Sequence, residues 1–515
     1  MSSEYDSSYS TIGILLIGLI IFALIGRIAR LYTFSGNIAA FRNRPHVQML
    51  VLGDIGRSPR MQYHAVSLAD AGCSVDLIGY VDTKPIARVS THRYIKVIKI
   101  SEAWKVPSGF PKIFYLLFSP FKAIWLTVQL TFIMGIATVA PNYIFVQNPP
   151  SIPTLAVAQL VAWFRSAWLI IDWHNFGYSQ LALRLGTTHP IVNFAKWYEK
   201  KFGSKAYAHL CVTQAMADEL KKWNVKGKII VFYDKPQRHF KRLTVNEIHK
   251  FHKRVRLENV LESQTLTHGW SIPTSDQSTL FTYITDAGEG SEKTAAFRPD
   301  RPLLVVSSTS WTEDEDFSLL LDAISRYEER ASEAEQNKNG QFPKILFAIT
   351  GKGPMKHYYE EKISKMQLAY TRIVTLWLEA ADYPLLLGSA DIGVSLHRSS
   401  SGKDLPMKIV DMFGCSLPVC ALNFECLHEL VDNGKNGLIF NDANELADQF
   451  ESLFKEFSKN APRLETMREY AQLFASTSWA DQWNEMLPWL FIDEQILSST
   501  TSGQRVSQTS KTTKN

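Results

Sequence analysis

Two carboxylates and a histidine stand where strands are expected to end. The apolar run VQMLVL leads into Gly53 and Asp54, and the run AWLII leads into Asp172, with His174 two residues later. A carboxylate or a neutral imidazole at such a position could take a proton from a substrate hydroxyl as a general base. A histidine held by a structural hydrogen bond fits the same spacing. The sequence therefore offers Asp54 and His174 as catalytic candidates and does not choose between them.

The loop GDIGRSPR, residues 53–60, is a candidate anion or acceptor site. Gly53 and Gly56 would let backbone N–H groups approach a phosphate or a sugar, and Arg57 and Arg60 add guanidinium groups that match phosphate geometry. The loop is neither a GxGxxG fingerprint nor a P-loop. A tight strand-to-helix turn with surface arginines explains it equally well.

The stretch SSSGKDLPMK, residues 399–408, is the densest candidate site, because small residues, a glycine and two lysines favour a backbone nest for a diphosphate. Asp411, on the helix expected next, is suitably placed for ribose hydroxyls. No Asp-x-Asp pair lies within this stretch, so a metal-dependent sugar-nucleotide site is disfavoured here and no cofactor or divalent metal is expected. The candidate ligand-binding residues of this half of the chain are Lys352, Ser401, Gly402, Lys403, Asp404, Lys408, Asp411 and Glu429.

Strands that alternate with helical segments predict an α/β protein of two doubly wound, Rossmann-like domains facing a cleft. Ligands of such sheets bind at the carboxyl ends of the strands. Between the two runs of alternation lies a basic stretch, KRLTVNEIHKFHKRVR, which we interpret as the start of a linker. The predicted segments are a first domain at 45–236, a partly disordered linker or insertion at 237–299, a second domain at 300–476, a terminal helix packing back at 477–496, and a disordered tail at 497–515.

Composition narrows the class of protein. Of 515 residues, 46% are hydrophobic and 20% charged, which is globular composition with a core to bury. The net charge of +5 argues against a dedicated nucleic-acid binder. Five cysteines without metal-ligand or paired spacing favour a reducing compartment.

Two apolar stretches raise the question of a membrane. Residues 11–26 carry no charge, and arginines follow them, so we predict a lumenal N-terminus at 1–10, a transmembrane anchor at 11–28 and a cytosolic body. The second stretch, 110–140, includes 18 uncharged residues from Ala123 onward. It cannot span the membrane without splitting one parallel sheet between two compartments, so it is either buried in the first domain or half inserted at the membrane interface.

Long strings of this sequence resemble the chitobiosyl-diphosphodolichol β-mannosyltransferase family. The resemblance covers nearly the whole chain apart from the anchor, the insertion and the tail. The strings that carry it are LGDIGRSPRMQYHAVSLA, IDWHNFGYS, VFYDKP, SSTSWTEDEDFSLLLDAI, ITGKGP, WLEAADYPLLLGSADIGVSLH, SSSGKDLPMKIVDMFGCSLPVCALNFECLHELV and NGLIF.

The resemblance implies a GT-B fold and an inverting enzyme that adds the first mannose, in β-1,4 linkage, from GDP-mannose to GlcNAc2-diphosphodolichol on the cytosolic face of the endoplasmic reticulum. The first domain would bind the acceptor and the second GDP-mannose. Implied partners are the membrane and, as further candidates, other mannosyltransferases of the cytosolic face. Two positions depart from the wider superfamily: Lys403 replaces the first Glu of a Glu-x7-Glu pair that ends at Asp411, and the segment SSTSWTEDEDF lacks the usual Arg and Lys.

Two alternatives stay open at this point. The chain could be a GT-B enzyme that uses another nucleotide sugar, or a membrane-anchored scaffold without catalysis. Loss of nucleotide binding would separate the scaffold from both enzymes.

Overall fold

The computed structural model describes residues 44–102, 112–257, 270–273, 275–285, 293–312, 315–338, 342–379, 381–454 and 461–491. The chain divides into two compact units, unit 1 with Met1–Tyr233 and Trp483–Asn515, and unit 2 with Asp234–Gln482. The predicted lumenal segment, anchor and disordered tail lie outside the described residues.

Unit 1 is built on a seven-stranded sheet in the order β3-β2-β1-β4-β5-β6-β7, with all neighbouring strands parallel. Its strands are β1 His46–Asp54, β2 Ser74–Tyr80, β3 Ile95–Lys99, β4 Tyr143–Asn148, β5 Trp168–Trp173, β6 Lys205–Cys211 and β7 Lys226–Val231. Its helices are α1 Pro59–Asp70, α2 Ala87–Thr91, α3 Lys112–Phe132, α4 Thr154–Arg165, α5 Gly177–Leu185, α6 Pro190–Gly203 and α7 Gln214–Lys222.

Unit 2 contains a six-stranded parallel sheet in the order β12-β11-β10-β13-β14-β15 and a separate antiparallel hairpin, β8-β9. The strands are β8 Thr282–Thr285, β9 Thr294–Phe297, β10 Leu303–Ser308, β11 Ile345–Thr350, β12 Thr371–Leu376, β13 Ile392–Ser395, β14 Val419–Leu422 and β15 Gly437–Phe440. The helices are α8 Val245–Val255, α9 Ser318–Gln336, α10 Lys356–Ser364, α11 Tyr383–Ser389, α12 Met407–Gly414, α13 Ala443–Phe454, α14 Pro462–Ser476 and, crossing the boundary of the units, α15 Trp479–Leu490.

The two parallel sheets confirm the predicted doubly wound architecture. In each sheet the strand order reverses beside the first strand, between β1 and β4 in unit 1 and between β10 and β13 in unit 2. Such reversals open a crevice at the carboxyl ends of the strands, where ligands bind. The loops that follow these strands are therefore the places to look for a site.

The stretch predicted as a linker differs in the structure, since its described residues belong to unit 2. Helix α8 begins with a capping box between Thr244 and Glu247, and Phe251 packs into the core that contains β10, β11 and α12. The six basic residues of this stretch conceal an apolar stripe that includes Ile248 and Phe251. That stripe gives the segment a buried face, so it folds with the domain it precedes.

The segment predicted to be buried or interfacial forms α3 and one turn of π-helix, Ile133–Ala137. Leu126, Leu130 and Ile133 are buried in the core of unit 1, whereas Phe121 and Ile124 are exposed. By length and composition, residues Pro120–Ala137 could cross a membrane, and 39% of them are buried. The helix therefore has one face in the core and one apolar face outside it.

Candidate active site

A cluster of buried charged side chains surrounds Asp172, at the carboxyl end of β5. The Arg60 guanidinium donates from Nε to Oδ2 and from Nη2 to Oδ1 of Asp172, each at 2.9 Å. His174 Nε2 lies 2.7 Å from Asp172 Oδ2, and His64 Nε2 lies 3.4 Å from the same oxygen. Arg60 and His64 are one turn apart on α1, so one face of this helix supplies both. We call these four residues the Asp172 cluster.

The charges of the Asp172 cluster are balanced inside it. Burial alone would raise the pKa of the Asp172 carboxyl, but the Arg60 guanidinium and the contact with His174 outweigh burial and hold this pKa well below its usual range. Burial lowers the pKa of His64 to about 4, against the opposing effect of Asp172. At neutral pH the cluster therefore contains an ionised Asp172 and an uncharged His64.

His174 is the member of the cluster that reaches solvent. A carboxylate can only accept a hydrogen bond, so the Nε2 facing Asp172 carries the proton. Nδ1 then presents a lone pair, and within the described part of the chain it has no hydrogen-bond partner. This tautomer is the one that a general base requires.

Asp54 occupies a different environment. Its carboxylate accepts hydrogen bonds from the backbone N–H groups of Gly56, Asp82 and Thr83, at 3.1–3.3 Å, and thereby closes the loop after β1. Burial would raise the pKa of Asp54, but these hydrogen bonds outweigh it and lower the pKa. A carboxylate with a lowered pKa is a weaker base.

The glycine loop is shaped by the same contact. A Cβ on Gly56 would lie 2.5 Å from the carbonyl oxygen of Thr83, so the close approach of the two loops requires glycine there, whereas Gly53 has open space around it. The side chain of Arg57 is 80% exposed, with Nε 3.5 Å from Asp54 Oδ2. Arg60, which the sequence offered as either a phosphate-binding or a surface arginine, is instead buried on Asp172.

In unit 2, the loop after β13 is organised by Asp404. Its Oδ1 accepts a hydrogen bond from Ser399 Oγ and lies 3.5 Å from Ser401 Oγ, and the backbone N–H of Lys403 donates to both serine hydroxyls at 3.2 Å. Gly402 has a φ of +71°, which favours glycine. Several polar groups of Ser401, Gly402, Lys403 and Asp404 thus already form hydrogen bonds within the loop itself.

The predicted phosphate-binding lysines each have a partner. Lys403 Nζ lies 2.9 Å from Glu425 Oε1, and the side chain of Glu425 is 64% exposed. Lys408 forms an ion pair with buried Glu315, whose other oxygen accepts from Thr309 Oγ1 and the backbone N–H of Ser310 at 2.7 Å. The pair therefore ties the loop after β10 to the start of α12.

Lys352, in the loop after β11, makes a cation–π contact with an aromatic ring. Its Nζ lies 3.7 Å from the centroid of Trp377, an indole that is 56% exposed just after β12. Glu429 ends a short 3-10 helix, Leu427–Glu429, beyond the loop of Glu425. Lys352 and Trp377 follow the neighbouring strands β11 and β12, whereas Glu429 lies beyond β14.

Asp411 differs from the other predicted donor residues. Burial and the nearby Asp234 carboxylate raise its pKa to about 8. The side chain is therefore mainly protonated at neutral pH and can both donate and accept hydrogen bonds. That chemistry suits a hydroxyl partner and adds no negative charge near a diphosphate.

The side chains that pair with Asp172 and Lys408 were not predicted from the sequence. Arg60 and His64 lie 112 and 108 positions from Asp172, and Glu315 lies 93 from Lys408. One pattern could have indicated the partners of Asp172: Arg60 and His64 stand four residues apart, on the otherwise apolar face of α1. Trp173, which follows Asp172, is fully buried and donates from Nε1 to His209 Nδ1 at 3.1 Å.

Comparison with known proteins gives three findings. The family model "Glycosyl transferases group 1" matches residues 291–474. A chitobiosyldiphosphodolichol β-mannosyltransferase of Mus musculus is 43% identical over 448 residues, which are 86% of this chain and 89% of that protein. The chain belongs to this glycosyltransferase family. A protein of Arabidopsis thaliana named "UDP-glycosyltransferase TURAN" is 42% identical over 85% of this chain and 95% of its own length.

The fold is also found among solved structures. The sucrose-phosphate synthase of Thermosynechococcus elongatus covers 90% of this chain and 99% of its own, with a TM-score of 0.57 and 13% sequence identity. This likeness, with the two parallel sheets, confirms the predicted GT-B fold. As a member of its family the chain is a hexosyltransferase, as the sequence predicted.

Proposed function

We propose that this mannosyltransferase adds a single mannose, in β-1,4 linkage and with inversion, from GDP-mannose to GlcNAc2-diphosphodolichol. The names of the mouse and human relatives support the dolichol-linked acceptor. The observation that carries the chemical step is the hydrogen bond from His174 Nε2 to Asp172. It leaves His174 Nδ1 as a base at the carboxyl edge of the sheet of unit 1.

His174 is preferred over Asp54 as the base. In a single displacement, the acceptor hydroxyl oxygen forms a bond to the anomeric carbon while the bond from that carbon to the GDP oxygen breaks. The hydroxyl proton passes to Nδ1, and Asp172 stabilises the imidazolium that forms. Asp54 is already committed to three backbone N–H groups and has a lowered pKa, so it suits loop closure better.

The leaving GDP carries the negative charge of a diphosphate, and lysines and backbone N–H groups are proposed to stabilise it without a metal ion. Lys403 is the best placed, because its partner Glu425 is exposed and can turn away. Lys408 is held by buried Glu315 and contributes a fixed charge. Ser401, Gly402 and Lys352 complete the proposed donor site, and Asp411 and Glu429 are assigned to hydroxyl groups of the donor.

We further propose that unit 1 lies on the cytosolic surface of the endoplasmic reticulum. In the described ranges, thirteen of nineteen exposed large apolar residues fall between Phe121 and Trp197. They lie mostly on α3 to α6, which pack side by side, and the exposed charges of these helices are basic: Lys122, Arg184, Lys196, Lys200 and Lys201. An apolar, aromatic and basic face suits an anionic lipid surface, which also carries the acceptor. Other mannosyltransferases of the same membrane face are proposed as partners.

The test is mannose transfer by the detergent-solubilised full chain onto a GlcNAc2-diphosphate lipid, with GDP-mannose and UDP-sugars offered separately. We expect one β-linked mannose from GDP-mannose alone. His174→Ala should reduce turnover by about 100-fold or more, in the range of general-base catalysis. His357→Ala, an exposed histidine on α10, should leave turnover unchanged.

Three other outcomes would contradict parts of the proposal. Transfer from a UDP-sugar would overturn the donor. Tight binding of GDP-mannose without transfer would overturn the acceptor or require a partner enzyme. A chain that binds no nucleotide sugar would be a scaffold.

A further inference from the structure

Arg60 is held more firmly than a surface arginine would be. Besides its two hydrogen bonds to Asp172, it donates from Nη1 to the carbonyl oxygen of Phe232 at 2.9 Å. The guanidinium carbon lies 5.1 Å from the centroid of the Phe232 ring. Only 4% of the Arg60 side chain is exposed, and none of Asp172. The fork of the guanidinium is therefore fixed on both sides.

The lone pairs of the Asp172 carboxylate are shared between Arg60 and His174. A carboxylate has two lone pairs on each oxygen, and the bidentate contact with Arg60 takes one on each. His174 Nε2 reaches Oδ2 through a remaining direction. Arg60 thus fixes the carboxylate plane and, with it, the direction in which the imidazole of His174 is held.

The same contact sets the charge of the pair. A buried carboxylate without a cation takes up a proton or forces a neighbour to do so. Of the other groups that face Asp172, His64 is uncharged because burial lowers its pKa to about 4, and burial raises the pKa of the Cys211 thiol on β6. Neither can replace the positive charge of Arg60.

We propose that Arg60 is a positioning residue, which keeps an additional proton off the Asp172–His174 pair near neutral pH and so sets the acid limit of the transfer reaction. Without Arg60, one more proton resides on the pair. On Asp172 it would donate to Nε2 and move the histidine proton to Nδ1; on His174 it would fill Nδ1 directly. In both cases the lone pair that accepts the substrate proton is lost. This inference rests on the proposed role of His174.

The experiment is the pH profile of kcat/KM for mannose transfer, from pH 5.5 to 9, with the full chain and its Arg60→Gln, Arg60→Met and Arg60→Lys variants. For the Gln and Met variants we expect the acid limb to move to higher pH by about one unit, since removal of a charge in contact changes a proton affinity by this order. At pH 7 their activity should fall about three- to fivefold, and most of it should return near pH 9.

The Lys variant retains the charge and loses the fork. Its acid limb should stay close to that of the parent, with kcat reduced equally at every pH and KM for GDP-mannose within about twofold. If the Met variant fails to fold, the Gln variant, which keeps an N–H donor for Asp172, still tests the charge.

Parallel profiles for all variants, with a uniform loss and no recovery at high pH, would overturn the proposal and leave Arg60 a structural role only. If His174→Ala keeps its turnover, the base assignment fails first. If His174→Ala is inactive and the Gln profile keeps its acid limb, only the positioning role fails.

Discussion

The charged side chains of the Asp172 cluster in unit 1 and of the loop 399–408 in unit 2 are paired in opposite ways. In the cluster, the interacting side chains of Arg60 and Asp172 are buried and matched within the protein. In the loop, Lys403 is paired with a carboxylate that is 64% exposed and can be replaced by a ligand. A closed set of charges holds a catalytic group in one state, whereas an exchangeable pair keeps a cation ready for an anion.

The largest effect should come from breaking the buried pair. Asp172→Asn leaves the Arg60 guanidinium buried without a counter-charge, so we expect a loss of about 3–5 kcal/mol in the free energy of unfolding. Thermal unfolding of the full chain in detergent measures it as a lowered Tm. Asp218→Asn, which removes an exposed ion pair with Lys221 in the same unit, should leave Tm unchanged. Equal shifts for the two variants would show that burial of the pair does not matter.

A second effect, which depends on pH, is expected at Asp411, a carboxyl buried near the carboxylate of Asp234. Its pKa of about 8 in the folded chain lies above the ordinary value of 3.8. Between these values the folded state holds a proton that the unfolded state has released. Stability therefore falls as pH rises through this window, by up to about 1.4 kcal/mol per pH unit.

Asp411→Asn should remove that slope and stabilise the chain more at pH 8 than at pH 5. Thermal unfolding at both pH values measures the difference. Asp448→Asn, on the exposed face of α13, is the matched control and should keep the slope of the parent. An unchanged slope in Asp411→Asn would mean that Asp411 is ionised in the folded protein.

The smallest effects should come from the pair of Lys403 and Glu425. Substitutions of the two residues should change the Kd for GDP-mannose in opposite directions. Lys403→Ala should raise the Kd for GDP-mannose about tenfold, since a charged hydrogen bond to phosphate is lost. Glu425→Gln should lower it about two- to threefold, because an exposed ion pair that competes with the diphosphate contributes only about 0.2–1 kcal/mol. Calorimetric titration of the solubilised chain with GDP-mannose measures both.

The control for this comparison is Lys435→Ala, which breaks another exposed pair of unit 2, with Asp432, and should leave the Kd unchanged. A Lys403→Ala variant with parental affinity would remove Lys403 from the donor site. A Glu425→Gln variant with weaker binding would show that Glu425 assists the ligand instead of competing with it.

The sequence predicted those features that depend on residues close to one another in the chain. The apolar runs gave the parallel strands, because a strand covered on both faces must be apolar throughout. His174 could be placed beside Asp172 since only one residue separates them at the end of β5. The loop of residues 399–408 was found from its small residues and glycine.

Contacts between distant elements were not predictable in the same way. Arg60 has the sequence context of a surface loop, and only the packing of α1 against the sheet shows that it reaches Asp172. The predicted linker failed for a related reason, because six basic residues concealed the apolar stripe that buries α8. Where a charged residue goes depends on its partner, and the sequence does not reveal the partner.

Helix α15 has a consequence for how the chain is made. Trp483 packs on His64 with ring centroids 5.0 Å apart, and Phe491 packs on Tyr143 at 4.8 Å. Unit 1 is synthesised first, but its core is complete only when Trp483 and Phe491 have also been synthesised. Unit 2 is continuous in sequence. In a nascent chain stalled before Trp483, His64 lacks this aromatic contact, so the Asp172 cluster should be more exposed to water and to chaperones.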